Sequence, residues 1–257
     1  MTEPASVDRP PSEFDTGVKA LADGHASDAI LAFESLADRG FVDPSASYDR
    51  GLAYALRVRL GGESPGDLGR AAHGFEEARD LASDSALKDQ ATRALTIVRG
   101  EVARRRARSG EPVEVEQSPP PHIAVARAFA EDTWSILAVV MSCAVAVSLV
   151  VRASAKARRV KIGGTIGIAL SALLLGLSSW ATHVRRVERR TLEEAVVVAQ
   201  NARPSDATGL ARPSAGPLPE GARVQVMERT AGLVRIRWGS VDAWLPASTL
   251  RILAKAP

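Results

Sequence analysis

The chain lacks the compact residue sets on which catalysis and metal binding usually rest. It contains no Cys-x-x-Cys, no His-Glu-x-x-His and no phosphate-binding loop. Its four histidines, His25, His73, His122 and His183, are scattered, and none has a ligand or base partner at useful spacing. Catalytic residues, metal ligands and cofactor contacts are therefore all read as none. Cys143 is the single cysteine, which excludes an intrachain disulfide, and its place within an apolar run makes it an inert thiol. The net charge is only +3, too small for one broad nucleic-acid-binding face. The basic run Arg104-Arg105-Arg106-Ala107-Arg108 has no interleaved aromatics to stack on bases. It reads instead as a solvated helix end, where cations complement the dipole, or as a contact with anionic headgroups. Residues 1–11 are polar, acidic and proline-containing, so they show no signal peptide and form an expected disordered tail.

Two stretches without any charge stand in the middle, Thr133–Val151 and Ile162–Val184. Each is long enough to cross a hydrocarbon core of about 30 Å as a helix. The competing reading, two core helices of a soluble domain, fits less well, because soluble helices rarely lack charge for so long. The ten residues 152–161 between them include five bases, Arg152, Lys156, Arg158, Arg159 and Lys161, and no acid. The pattern predicts a membrane hairpin: helices at 133–151 and 162–184, a basic turn, and both flanking segments on one side. Trp134 and Trp180 mark the outer ends of the two runs, as interfacial tryptophans do. His183 reads as another interfacial residue. Gly163, Gly167 and Ser171 form a small stripe, read either as a close helix contact or as simple tolerance of glycine in lipid. Gly163-Gly164-Thr165-Ile166-Gly167 falls inside the second run and is therefore no phosphate loop. The positive-inside rule places the turn in the cytoplasm and both flanks in the periplasm of a bacterial inner membrane. The segment after the second run is also arginine-rich (Arg185, Arg186, Arg189 and Arg190), and the absence of a signal peptide argues the other way, unless the true start lies upstream.

Residues 12–108 show helical periodicity in pairs. Phe14, Val18 and Leu21 lie on one helix and Ala29, Ile30, Phe33 and Leu36 on the next, with Gly24 and Gly40 as breaks. Tyr48, Gly51, Ala53 and Tyr54 begin a second pair. After the loop around Gly61 to Leu68, Ala71, Phe75, Ala78 and Leu81 complete it. A last helix runs through Ala91, Leu95 and Val98 to about Ala107. Gly17, Ala20, Ala29, Phe33 and Leu36, then Gly51, Tyr54, Ala71, Phe75 and Ala78, resemble the small and aromatic positions of tetratricopeptide (TPR) repeats. In that family small residues let paired helices approach, and an aromatic fills the gap between successive hairpins. Two departures stand out. The second pair has a longer internal loop, and the first lacks the leading aromatic. The resemblance implies a concave partner-binding groove, with Phe14, Val18 and Tyr48 facing it. These are not the residues of a carboxylate clamp, so an apolar helix or extended peptide is the expected ligand.

Residues 109–132 read as a proline-rich linker with an amphipathic lead-in. Residues 191–257 turn to β signals, with Ala195–Ala199, Arg223–Met227, Leu233–Trp238, Ala243–Pro246 and Thr249–Leu253 as candidate strands. Leu218-Pro219-Glu220-Gly221, then Val224-Gln225-Val226, then Ala243-Trp244-Leu245-Pro246 resemble the recurring motifs of bacterial SH3 domains, with Ala243 where glycine is usual. Leu218, Gly221, Val224, Trp238, Trp244 and Pro246 are the structural positions this implies, with Trp244 in the barrel core.

The expected fold class is multidomain: an α-helical TPR-like stack of αα-hairpins, a two-helix transmembrane hairpin and a small all-β SH3-like barrel. This order of parts resembles the BatE proteins of the bacterial aerotolerance operon. That resemblance implies a non-enzymatic membrane scaffold. It also implies von Willebrand A-domain membrane proteins and a MoxR-type ATPase as partners, with no nucleic acid. Two further readings stay open: an accessory subunit that touches peptidoglycan and recruits an enzyme acting on it, and a cytosol-facing TPR regulator.

Overall fold

The computed structural model describes residues 12–112, 125, 131–155, 157–191, 193–212, 216–230, 232–239 and 241–255. The chain divides into two compact units. One joins residues 1–117 to residues 193–257, and the other is residues 118–192.

The first unit begins with five helices, α1 (Ser12–Ala22), α2 (Ala26–Asp38), α3 (Pro44–Arg59), α4 (Asp67–Leu81) and α5 (Ser85–Arg108). Local chemistry sets their starts. The Asp43 carboxylate accepts from the N–H groups of Ser45 and Ala46 at 2.9 and 3.0 Å, with Pro44 opening α3. Asp84 does the same for α5, through Ala86 and Leu87. Gly24 and Gly40 end α1 and α2 with positive φ, which side chains adopt poorly.

Helices α1 and α2, and likewise α3 and α4, pair through a glycine facing an aromatic. A Cβ at Gly17 would lie 2.7 Å from the Phe33 ring, and one at Gly51 would lie 2.8 Å from Phe75. The aromatics therefore fill the contact within each hairpin, where sequence analysis had put them between successive hairpins. Ala29, Ala71 and Ala78 are wholly buried beside them, and Tyr54 is nearly so.

Five antiparallel strands follow: β1 (Glu193–Val197), β2 (Arg223–Thr230), β3 (Leu233–Trp238), β4 (Val241–Pro246) and β5 (Leu250–Ile252), in the order β4-β3-β2-β1-β5. Alternation sorts their side chains. Ala195, Val197, Val224, Val226, Val234, Ile236 and Leu245 close one core together with Leu218. Val196 points the other way, into the core of the helices, where Leu253 joins it. Strand β1 is thus buried on both faces, which explains its unbroken apolar run.

The two segments expected as separate domains, 12–108 and 191–257, therefore share one unit. Their contact is close because it is made by small residues. A Cβ at Gly69 on α4 would lie 2.7 Å from the Val197 carbonyl oxygen, and one at Gly221 would lie 3.1 Å from the Ala72 methyl. Small residues carry no periodic signal of such a contact, so the sequence pattern did not reveal it.

One expected core residue is corrected. On β4 the inward positions are Ala243 and Leu245, at 1% and 0% exposure. Trp244 lies between them and so projects to the opposite face, half-buried, while Pro246 is exposed. Trp238 is half-buried against the sheet core.

The second unit is a pair of helices, α6 (Glu131–Ser154) and α7 (Arg158–Thr191). Both are long and apolar enough to cross a membrane, over Thr133–Ser154 and Arg158–Val184. They run antiparallel, since Ser148 faces Gly167 and Trp134 packs on Ala181. The helices continue through basic residues that the sequence reading assigned to a turn at 152–161, leaving residues 155–157 as the connection. The close contact is made by Gly164 and Gly167, whose Cβ positions would lie 3.0 Å from Arg152 and Ser148. Gly163 faces open space. Large apolar side chains such as Ile136, Val139, Leu170 and Leu173 are exposed along the outer faces.

The inward and outward positions of β4 make a testable contrast. Leu245→Ala should destabilise the first unit by about 2–5 kcal/mol, as a large-to-small change in a core does. Trp244→Ala should leave it folded. Chemical denaturation of the detergent-solubilised chain, followed by circular dichroism, checks both.

Candidate functional site

Helices α1, α3 and α5 line a concave trough of about 1000 Å³. Val18, Leu21 and Ala22 come from α1. Leu52, Ala55 and Leu56 come from α3, and Ala94, Ile97 and Val98 from α5, with Leu68 and Phe75 of α4 beneath. The geometry follows from the hairpins. Because α2 and α4 pack behind their partners, the first helix of each pair and the closing helix share the free face.

The trough is apolar in its middle and charged at its margins. Ile97 is 70% exposed and Val18 40%, high values for apolar side chains on a packed helical domain. Arg59, Arg104 and Arg105 lie on the rim with Glu101. Arg105 is held by Glu63 and by Glu101, the latter at 3.0 Å. Asp49 also lines the trough, and burial together with the neighbouring Asp43 charge pushes its carboxyl up to about 6. Such a surface suits an apolar ligand with polar flanks.

Of the three residues expected to face a partner, Val18 lines the trough. Phe14 and Tyr48 are corrected. Phe14 sets its ring edge against Phe33 at 6.1 Å between centroids, and Tyr48 tilts onto Phe75 at 5.5 Å. Both are half-buried packing residues. The residues missed were Leu52, Asp49 and Ile97. Ile97 stands off the Ala91-Leu95-Val98 seam that α5 buries, so an apolar residue outside the stripe was the available signal.

A second group of polar residues joins the helices to the sheet. Arg50 pairs with Glu77 at 2.6 Å, and the Ser47 hydroxyl donates to the same carboxylate at 2.7 Å. The Nε2 of His73 lies 2.9 Å from the Ile252 carbonyl oxygen, and its Nδ1 lies 3.2 Å from the Arg50 guanidinium. A carbonyl can only accept and a guanidinium can only donate, so this geometry requires the neutral ring with its proton on Nε2. Burial is the main cause that drives the His73 pKa down, to about 4. The sequence reading found no partner for any histidine. The structure gives His73 two, Arg50 from α3 and the Ile252 carbonyl from β5, with the Glu77 carboxylate one turn on as an electrostatic neighbour.

Alongside, Glu76 has no exposure and meets Arg99 at 2.6 Å, Arg223 at 2.8 Å and Arg79. Arg251 of β5 reaches Glu34 of α2, and the Gly69 N–H donates to Glu220 at 2.7 Å. Arg50, His73, Glu76, Glu77 and Glu220 are buried and spent on these contacts, so the set fastens α2 and α4 to the sheet. Among the described residues no three His, Cys, Asp or Glu side chains gather as metal ligands.

No family model matches the chain, and no curated protein or solved structure matches it significantly.

The neutral His73 predicts a pH dependence with a definite sign. The unfolded ring protonates near pH 6.5 and the folded one only near 4. Between these values the unfolded state binds more protons, so stability is lost as pH falls through that window and is full above it. His73→Gln should abolish this component, so the wild-type-minus-variant difference in stability, measured by urea unfolding, should shrink as pH falls from 7 to 4.5.

Proposed function

We propose that this protein is a non-enzymatic scaffold, anchored by a two-helix hairpin in the bacterial inner membrane, that captures partner proteins in the α1–α3–α5 trough. The observation that carries this reading is the trough itself, a broad apolar surface held open by helices whose own packing is complete. The anchor is supported by the exposed apolar faces of α6 and α7, which a hydrocarbon environment would cover. It is also supported by the chain path. Residues before α6 and residues after α7 build one folded unit, which requires an even number of crossings between them. The cationic end of the hairpin favours the cytoplasm, leaving the folded unit in the periplasm.

Within this reading the helices act as TPR-like repeats and the sheet as an SH3-like barrel. The order of parts resembles that of BatE-type membrane proteins, so von Willebrand A-domain membrane proteins and a MoxR-type ATPase are the proposed partner system. The attachment of the sheet to α4 makes it part of the platform, so the trough is the favoured docking site.

Two measurements test the proposal. Alkaline carbonate washing should leave the protein in the membrane pellet, and its release would refute the anchor. Ile97→Asp places a charge on an already exposed position, so it should change stability by no more than about 0.5 kcal/mol. It should weaken capture of a co-produced von Willebrand A-domain partner by about tenfold or more. Undiminished capture by the folded variant would refute the trough as the docking site.

A further inference from the structure

We infer that the end of the hairpin where α6 meets α7 is a binding site for the phosphate of an anionic phospholipid headgroup, held by Arg152, Arg158, Arg159 and Lys161. The inference rests on the membrane reading above, and goes beyond it by assigning a ligand to these side chains.

Charge balance is the first argument. All four side chains are exposed, and none has an ion pair among the described residues. Arginines of the first unit behave differently: Arg50, Arg57, Arg79, Arg99, Arg223 and Arg251 each meet a carboxylate. The hairpin itself offers no such partner, because the sequence has no acidic residue between Asp132 and Glu188. Arg158, Arg159 and Lys161 also stand in the first turn of α7, where the helix dipole disfavours cations. The compensating negative charge therefore has to come from outside the hairpin.

Geometry is the second argument. Only residues 155–157 separate the two helices, so the last turn of α6 and the first turn of α7 lie side by side. Gly164 has no side chain, and the Arg152 stem occupies that space, with its Cβ 3.0 Å from where a glycine Cβ would be. This holds the α6 arginine against the helix that carries the other three cations. Arg158 and Lys161 are three residues apart and share a helix face.

Depth and chemistry select the ligand. The cluster ends two membrane-length apolar helices, which puts it at headgroup level. Guanidinium forks match phosphate oxygens in two-point contacts. A zwitterionic headgroup brings its own ammonium and cannot neutralise the cluster, whereas an anionic one can.

The test uses the full chain purified in mild detergent from mixed vesicles of phosphatidylglycerol and phosphatidylcholine, with retained lipids counted by native mass spectrometry. The wild type should retain phosphatidylglycerol preferentially. The variant R152Q/R158Q/R159Q/K161Q should lose that preference, by about fivefold for each cation removed. The milder R158Q/R159Q should show an intermediate loss and covers the case in which the fourfold variant fails to insert. Arg229→Gln with Arg237→Gln, on exposed strand positions, should change nothing. Equal preference in wild type and both hairpin variants would overturn the inference. Complete displacement of phosphatidylglycerol by inorganic phosphate would assign the site to free phosphate and overturn it as well. Carbonate extraction run in parallel separates the outcomes. Release from the membrane refutes the anchor, while a retained protein without lipid preference refutes only this site.

Discussion

Glu76 is a carboxylate with no exposure to water, and arginines from α4, α5 and β2 converge on it. A lone charge in that position would cost several kcal/mol, so the three partners are a condition of folding and not a surplus. Because Arg223 comes from the far side of the membrane-length helices in sequence, this one group ties the C-terminal sheet to the N-terminal helices. Arg223 also meets Asp80 and Glu194, which spreads the charge over both segments. Ion pairs of this kind specify an arrangement more than they stabilise it. The apolar contact through Val196 and Leu253 supplies the burial that the charges orient.

The helix α4 shows how this arrangement is reached. It is buried along nearly its whole first three turns, with α3 and α5 on one side and β1 on the other. A helix in such a place needs small residues wherever a backbone approaches. Gly69 meets β1, and Gly74 meets α3, where a Cβ would lie 2.6 Å from the Ser47 carbonyl oxygen. The same double burial explains why its polar residues, Asp67, His73, Glu76 and Glu77, are all paired internally. The longer loop before it is held by Asp67, which receives Arg57 and the Ser64 N–H. With α4 fixed, α1, α3 and α5 are left with one shared free face, and that face is the trough.

The hairpin follows a different rule. Its helices meet through Gly164 and Gly167 on one helix and Ser148 and Arg152 on the other, with Trp134 on Ala181 at the opposite end. Small residues on one side and larger ones on the other give close packing without a polar core. Its outer faces remain apolar, and basic residues stand at both ends of α7, Arg158 to Lys161 at one and Arg185 to Arg190 at the other. The first unit thus pairs many of its charges internally, whereas Arg152, Arg158, Arg159 and Lys161 at the hairpin end have no ion pair among the described residues.

The sequence by itself determined the element types. Apolar periodicity with glycine breaks found the helices, period-two alternation found the strands, and two uncharged runs found the hairpin. These signals are local, since each depends on residues within one or two turns. Val18 at the trough was legible because it lies on the exposed edge of an apolar helix. Only the tertiary structure decided the rest. Phe14 and Tyr48 became packing residues because Phe33 and Phe75 were available to them from neighbouring helices. Trp244 turned outward because strand register, set by pairing with β3, gave the inward places to Ala243 and Leu245. The union of helices and sheet was invisible in sequence because it rests on glycines, whose role depends on what approaches them. It rests also on charges such as Glu76 and Arg223, which look like surface residues until their partners are brought to them from distant parts of the chain.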